Sequence, residues 1–163
     1  MEIPVINKST NELPTYAHVG DSGVDLKAHL QTIDDKFLFN SEKIYNQEGN
    51  IDSIIIKPGG RALIPTELYT AIPKGYEVQI RPRSGLALKS GITVCNTPGT
   101  IDADYRNGWG VILINHGTKP FIINQGDRIA QAVLVKVEQI EWEEVETLDS
   151  TDRGLGGFGS TGS

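Results

Sequence analysis

Cysteine is nearly absent from this sequence, because Cys95 is the only one in 163 residues. A disulfide within the chain is therefore excluded, which suits a reducing compartment. The three histidines show no paired metal-ligand spacing, so a zinc site is not expected either. We interpret Cys95 as a small core residue and not as a nucleophile.

Long apolar runs and basic runs are also lacking. No stretch approaches the length of a membrane-spanning helix. The first ten residues, MEIPVINKST, have neither the basic start nor the apolar centre of a signal peptide. With 21 acidic and 15 basic residues and a net charge of −6, binding to nucleic acid or to a membrane surface is not expected. The sequence predicts a soluble cytoplasmic protein.

Glycine and proline are frequent, at 18 and 8 residues, and they separate short β-rich runs. Such runs occupy 54–56, 61–64, 76–80, 111–114, 121–123 and 129–137, with Pro58-Gly59-Gly60 between the first two. This rhythm predicts an all-β, jelly-roll-like sandwich or barrel. Segment 84–91, SGLALKSG, has a serine able to cap and a glycine able to terminate, and it predicts one short helix.

The chain divides into one β domain over 1–152 and a glycine-rich arm over 153–163, which we expect to be flexible. Within the domain, the polar segment 34–53 predicts a protruding hairpin or long loop, and an inert surface excursion is the favoured interpretation. In 138–146, apolar residues alternate with glutamates. That pattern predicts a half-solvated edge strand.

Two segments carry residues suited to nucleotide chemistry, although each alone has a simpler structural explanation. RPRSGLALKSG, at 81–91, places arginines before a helix start, which makes either a phosphate site or a capped surface helix. NTPGTIDADYRNGWGVILIN, at 96–115, contains Asn107-Gly108, a strong hairpin signal. Asp102 in that segment could activate a water molecule, or the segment could be a solvated hairpin.

Three further segments are equally ambiguous when taken singly. GDSGVDLKA, at 20–28, offers Asp25 as a Mg²⁺ ligand, often through water, or as part of an Asx-type turn. GDRIAQAVLV, at 126–135, places the Gln131 amide in a buried strand, where it needs a ligand or structural partners. RGLGGFGSTG, at 153–162, holds one arginine and one phenylalanine among glycines, and it lacks the lysine of a P-loop.

In this order, the five segments resemble the ordered motifs of the homotrimeric dUTP diphosphatases (dUTPases). The resemblance covers residues 20–162, and only the segment around 34–53 looks extra against compact members. It implies a jelly-roll homotrimer with active sites between subunits, which hydrolyses dUTP to dUMP and pyrophosphate with Mg²⁺. Such an enzyme would limit dUTP and supply dUMP for thymidylate synthesis.

The resemblance also implies residue roles. Asp102 would be the catalytic base that orients a water for attack on the α-phosphorus. Asn96 would read the uracil edge, and Tyr105 would lie under the deoxyribose and exclude a 2′-hydroxyl. Asp25 would hold Mg²⁺ through water while the triphosphate supplies the direct ligands. The other substrate contacts would be Arg83, Ser84, Gly85, Gly99, Thr100, Ile101, Gly110 and Gln131, with Arg153, Phe158, Gly159 and Ser160 in a lid over the site.

Two alternatives stay open at this point. The dCTP deaminases share the fold and a similar phosphate segment, although the intact TIDADY sequence and the glycine-rich tail argue against them. A nucleotide-dependent partner-binding module on the same fold is the other alternative, and the presence of Asp102 argues against it. Pyrophosphate from dUTP, as against ammonia from dCTP, would distinguish the two enzyme classes.

Overall fold

Residues 1–157 are the part of the chain that the computed structural model describes, and they form eleven β-strands, one α-helix and two 3-10 helices. The α-helix, α1, is Ser84–Ser90, and the 3-10 helices are Leu30–Thr32 and Asp35–Phe37. The strands are β1 (Val5–Asn7), β2 (Val24–Lys27), β3 (Leu38–Tyr45), β4 (Ile51–Pro65), β5 (Leu68–Thr70), β6 (Tyr76–Arg81), β7 (Ile92–Val94), β8 (Gly99–Ile101), β9 (Gly110–Asn115), β10 (Phe121–Asn124) and β11 (Arg128–Lys136).

Most strands belong to two antiparallel sheets. One sheet has the order β10-β4-β9-β7, with β3 as a second partner of β4, and the other has the order β2-β11-β6-β8. The two sheets bury a shared apolar core, whose fully enclosed members include Leu26, Ala130, Ile56, Ile64 and Leu113. The predicted all-β sandwich is confirmed, and within residues 1–157 the sheets remain open and form no closed barrel.

β4 corrects the prediction of two separate strands around Pro58-Gly59-Gly60. The strand runs without interruption through this triplet, and Gly59 takes a φ of 74°. The neighbouring strand accommodates the irregularity, because Asn40 of β3 has a φ of 50° and the β3–β4 register shifts between Phe39 and Ser41. The glycines therefore make a bulge in a long strand and not a turn.

The segment 34–53 contains all of β3, the loop 46–50 and the start of β4. Asn46 closes the loop, since its side-chain oxygen accepts hydrogen bonds from the amides of Glu48 and Asn50, both at 3.0 Å. β3 lies along β4 and pairs with it from Leu38 to Tyr45. The segment is thus a hairpin that widens the five-stranded sheet.

The short helix forms where it is expected, but Ser84 is its first helical residue and not its cap. Arg83 occupies the cap position without a side-chain cap hydrogen bond. The amides of the first turn therefore lack a side-chain acceptor from the cap residue. Gly91 ends the helix in the left-handed conformation, at φ 67°, and its amide donates to the carbonyl of Ala87.

Replacing Gly91 with alanine should destabilise the fold. The left-handed conformation alone costs an alanine roughly 1–2 kcal/mol, and a Cβ here would lie 2.6 Å from the amide nitrogen of Gly117. Gly59→Ala is the matched control, because Gly59 has a similar φ of 74° and no atom within 4 Å of its Cβ position. Chemical denaturation should show a larger decrease in the free energy of unfolding for Gly91→Ala than for Gly59→Ala. Equal decreases would contradict a steric clash between the new Cβ and Gly117.

Two expectations about exposure are wrong. Residues 138–146 form no strand, since this segment leaves β11 and pairs with no other strand within residues 1–157. Its apolar side chains are exposed, with Ile140 at 70% and Trp142 at 89%. Cys95 is exposed as well and is not a core residue. No helix in residues 1–157 is long and apolar enough to cross a membrane.

Candidate active site

Two predicted site residues, Asp25 and Gln131, meet at one level of the four-stranded sheet, beside Arg81. Gln131 of β11 is directly opposite Asp25 of β2 on one side and Arg81 of β6 on the other. Residues opposite each other share a face of a sheet. The next residues along these strands, such as Leu26 and Ile80, are buried in the core, so Asp25 and Gln131 face outward.

Asp25 is bound by two arginines. The Arg83 Nε lies 2.8 Å from Oδ1 of Asp25, and the Arg128 Nη1 lies 3.3 Å from Oδ2. Arg83 also donates to the backbone carbonyl of Arg128 at 3.1 Å. Two guanidinium groups beside one carboxylate give this surface an excess of positive charge, which suits an anionic ligand.

Gln131 joins this group through the backbone before the helix. Its Nε2 donates to the carbonyl of Pro82 at 3.0 Å, and Arg83, Ser84 and Gly85 follow directly in the chain. Gly23 permits the close packing, because a Cβ at that position would lie 2.7 Å from the Gln131 Oε1. A surface cavity of about 280 Å³ opens beside this cluster, lined by residues that include Asp21, Asp25 and Gln131.

The donor set here limits how Mg²⁺ could bind. Among residues 1–157, no group of three His, Cys, Asp or Glu side chains could hold a metal ion. The carboxylate of Asp25 already has its two arginine partners. These residues fit an ion whose inner ligands come mainly from a polyphosphate, with Asp25 accepting a hydrogen bond from a metal-bound water.

The segment around Asp102 is not the predicted hairpin. β8 pairs with β6 and β9 pairs with β4 and β7, so residues 102–109 cross from one sheet to the other. A two-residue hairpin turn of the expected type needs positive φ at both central residues, and neither Asn107 nor Gly108 has it. The turn forms earlier instead, where the Tyr105 amide donates to the Asp102 carbonyl at 3.2 Å. We call residues 102–109 the crossover loop.

The predicted uracil-reading residues lie at the ends of the crossover loop. A Cβ at Gly99 would be 3.2 Å from the Asn96 side-chain nitrogen, and one at Gly110 would be 2.6 Å from Leu63. A side chain at either position would therefore displace the side chain of Asn96 or Leu63, which glycine leaves in place. Tyr105 is 40% exposed, and its hydroxyl donates to the Gly108 carbonyl at 3.2 Å. Thr100 and Asp102 are exposed, while Ile101 is buried.

Asp102 and Arg83 are far apart within one chain, although Gly99 lies near the Arg83 end of β6, opposite Ile80. Ile101 is opposite Val78, and Asp102 follows it towards the Tyr76 end of β6, whereas Arg83 follows the other end. Six residues of β strand span about 17 Å at roughly 3.3 Å per residue. One copy of the chain thus does not bring Asp102 to the predicted phosphate-binding residues.

The glycine-rich tail is described only at its start. The Arg153 Nε donates to the carbonyl of Gly156 at 3.0 Å, and residues 151–157 are exposed. This part of the tail contacts neither cluster through a hydrogen bond. Phe158, Gly159 and Ser160 lie outside the described residues, so their predicted roles stay predictions.

Sequence reasoning missed three residues beside these clusters. Arg128 was within a recognised segment, and its charge could have indicated a partner for Asp25. Glu67 and Tyr69 were not singled out, because their contacts with the crossover loop come from tertiary structure. Glu67 has a φ of 57°, which no local sequence signal indicates.

The family comparison covers four of the five ordered segments, because segment 20–28 precedes the matched range. The family model for dUTPase matches residues 51–162. The chain belongs to the dUTPase family. A deoxyuridine 5′-triphosphate nucleotidohydrolase of Finegoldia magna is 46% identical over 162 residues, covering 99% of each chain. One of Caulobacter vibrioides is 51% identical over 150 residues, which cover 92% of this chain and 85% of that one. The recognised family and the enzyme class are confirmed.

Solved dUTPase structures share the fold. The dUTPase of Staphylococcus bacteriophage 80alpha with dUPNHPP superposes with a TM-score of 0.78 over 99% of each chain, at 23% identity. The D-to-N mutant dUTPase of phage phi11 of S. aureus, described with a structural Mg(II) ion, gives a TM-score of 0.71 over 92% of this chain at 21% identity. At these identities the likeness concerns the dUTPase fold alone.

Proposed function

We propose that this chain hydrolyses dUTP to dUMP and pyrophosphate, with Mg²⁺, at sites formed between the subunits of a homotrimer. The observation that carries the proposal is the pair of complementary clusters on one dUTPase-family chain. One cluster, around Arg83 and Gln131, is suited to phosphates, and the other, around Asp102 and Tyr105, is suited to a sugar and a water. Asn96 precedes β8, whose Gly99 is opposite Ile80 near the Arg83 end of β6. The dUMP formed would supply thymidylate synthesis.

The reaction needs a water positioned on the α-phosphorus. Asp102 is exposed at the start of the crossover loop, where its carboxylate can accept a proton from that water. The water oxygen bonds to the α-phosphorus as the bond from that phosphorus to the bridging oxygen of the β-phosphate breaks. Pyrophosphate leaves and the proton moves to Asp102. Positioning of this kind supplies much of the acceleration in phosphoryl transfer.

The phosphate-binding residues stabilise the charge on the triphosphate. Arg83 and the backbone amides of Ser84 and Gly85 would donate to phosphate oxygens, and the absence of a side-chain cap from Arg83 supports this role. Gln131 keeps the preceding backbone in place through its bond to Pro82. Mg²⁺, when bound, would neutralise phosphate oxygens, and Asp25 would orient one of its waters.

The residues proposed to contact the nucleoside determine the selectivity for base and sugar. Asn96 offers both a donor and an acceptor to the uracil edge, with backbone groups near Thr100 and Gly110 completing the pattern. Cytosine reverses part of that pattern, which leaves polar groups unpaired. The close packing of the Gly99 and Gly110 backbone would leave no room for a 5-methyl group on the base. Tyr105 would pack under the deoxyribose.

The separation of the clusters supports sites between subunits. Asp102 and Arg83 lie towards opposite ends of β6, and a second chain would bring its own Asp102 to the phosphate-binding residues. The exposed apolar side chains of 137–150 also support self-association, since Ile140, Trp142 and Leu148 have no apolar cover in one chain. Light scattering should give three times the 17.8 kDa chain mass. A monomer at assay concentration would contradict the proposal.

An assay of four nucleotides tests the proposed function. With Mg²⁺, dUTP should be hydrolysed to pyrophosphate, while dTTP, dCTP and UTP should react at least 100-fold more slowly, because loss of matched hydrogen bonds in a closed site costs about 3 kcal/mol or more. Ammonia from dCTP would indicate the deaminase alternative. Tight dUTP binding without product would indicate a binding module.

A further inference from the structure

Glu67 adopts a backbone conformation that a glutamate rarely takes. Its φ is 57°, in the left-handed region that favours glycine. Both of its carboxylate oxygens have partners: the Thr32 hydroxyl donates to one at 2.8 Å, and the Tyr69 hydroxyl donates to the other at 3.0 Å. The side chain of Glu67 is therefore fixed at both oxygens.

Tyr69 is held from several sides. Its backbone pairs with Ile6 in the β1–β5 ladder, and the ammonium of Lys8 lies 4.6 Å from its ring centroid. The hydrogen bond to Glu67 is the main cause that raises the pKa of Tyr69 above its ordinary value. The phenol therefore remains a protonated donor, and its ring has little freedom to move.

The ring of Tyr69 lies directly against the crossover loop. A Cβ at Gly108 would be 3.1 Å from Cζ of Tyr69 and 3.2 Å from its hydroxyl oxygen. Gly108 is also the residue whose carbonyl accepts the Tyr105 hydroxyl, at 3.2 Å. A continuous series of contacts thus joins Thr32, Glu67 and Tyr69 to Gly108, and Gly108 to Tyr105.

We propose that Tyr69, fixed by Glu67, is a positioning residue that sets the place of Tyr105 and hence the selection of deoxyribose over ribose. This inference rests on the proposed function, in which Tyr105 packs under the sugar. Excluding the 2′-hydroxyl of ribose requires a closely fitted surface. If the Tyr105 side chain could move away from the sugar, the hydroxyl would fit. The contact of Tyr69 with Gly108 prevents that retreat.

The segment before β3 also contacts Glu67 and lies beside the crossover loop. Thr32, Asp34 and Phe37 line a small cavity of about 130 Å³ together with Glu67, Gly108 and Trp109. This part of the chain, just before the hairpin, therefore lies beside the crossover loop. The Thr32 hydrogen bond gives it a direct effect on the orientation of Glu67.

Four variants and one control test the proposal. Tyr69→Leu removes the ring, Tyr69→Phe removes only the hydroxyl, Glu67→Gly removes the carboxylate while favouring the left-handed backbone, and Glu67→Gln keeps an acceptor for Tyr69. Tyr45→Phe, at a side chain that is 56% exposed on β3, is the matched control. The readout is kcat/KM for dUTP divided by kcat/KM for UTP.

The expected changes are graded. The ratio should fall about tenfold or more in Tyr69→Leu and about three- to tenfold in Tyr69→Phe and Glu67→Gly, the effect of one hydrogen bond. KM for dUTP should rise while kcat stays near the wild-type value, because Asp102 is not moved. Glu67→Gln and Tyr45→Phe should stay within about twofold. Unchanged ratios, or equal losses on both nucleotides, would overturn the proposal.

Deuterium uptake by peptides covering 103–110 gives a second readout that needs no turnover. Uptake without nucleotide should increase in Tyr69→Leu and Glu67→Gly and not in Glu67→Gln. Unchanged uptake in all variants would overturn the role of Tyr69 even if the enzyme is active. If wild-type protein does not hydrolyse dUTP, the proposed function fails, and the uptake result still decides whether Tyr69 holds the loop.

Discussion

Asp102→Asn should bind dUTP with near-normal affinity and lose hydrolysis by about 10²- to 10⁴-fold in kcat, the contribution expected of a general base. Asparagine keeps the size of the side chain and can still hydrogen-bond a water, but it does not accept the proton. Single-turnover measurement with Mg²⁺ separates binding from chemistry. Near-normal turnover in this variant would refute the assignment of Asp102 as the base.

Asp104→Asn is the matched control for this experiment. Asp104 is two residues away in the same crossover loop, is also exposed, and loses the same charge on substitution. Its kcat should therefore remain within about twofold of the wild-type value, because a screened surface charge contributes little. An equal loss in both variants would mean that loop charge, and not proton transfer, limits the rate.

Truncation after Asp152 should remove most activity and leave the oligomer intact. The deleted arm contains Arg153, which we propose binds the polyphosphate, and Phe158, which we propose lies over the uracil ring. We expect at least a 100-fold loss in kcat/KM for the truncation and a loss of about 10- to 100-fold for Arg153→Ala, since hydrogen bonds to charged groups are worth roughly 1.5–3 kcal/mol.

Arg153→Lys distinguishes charge from geometry in this tail. Lysine keeps the charge but not the planar fork that binds two phosphate oxygens, so its activity should lie between wild type and Arg153→Ala. Light scattering on the truncated chain should give the wild-type mass, because the exposed apolar residues of 137–150 remain. Dissociation on truncation would mean that the tail is structural and not a lid.

The fold class was predictable because its signals are local. Short apolar runs between glycine and proline indicate strands wherever they pack, and the glycine at position 91 ends a helix by its own conformational freedom. The motif residues of the site could likewise be named from their order in the chain. Asp25 and Gln131 are opposite each other in one sheet, and Arg83 contacts Asp25, while their roles stay predictions.

What could not be predicted depends on partners distant in sequence. Pro58-Gly59-Gly60 predicts a turn. In the structure it forms a bulge, because Asn40 in the paired strand has a positive φ and the register shifts beside it. Asn107-Gly108 predicts a hairpin, but the strands on either side of it, β8 and β9, pair in different sheets. The pattern of segment 138–146 predicts an edge strand, yet the segment pairs with no strand within residues 1–157. In the first two cases tertiary pairing overrides the local preference, and in the third a strand-like pattern lacks a pairing partner.

The position of bond cleavage tests the proposed reaction most directly. Wild-type protein should hydrolyse dUTP in water enriched in ¹⁸O, and phosphorus NMR should then locate the label. If water attacks the α-phosphorus from the Asp102 side, one ¹⁸O appears in dUMP and none in pyrophosphate. Label in pyrophosphate, or inorganic phosphate with dUDP as products, would contradict the mechanism proposed for this site.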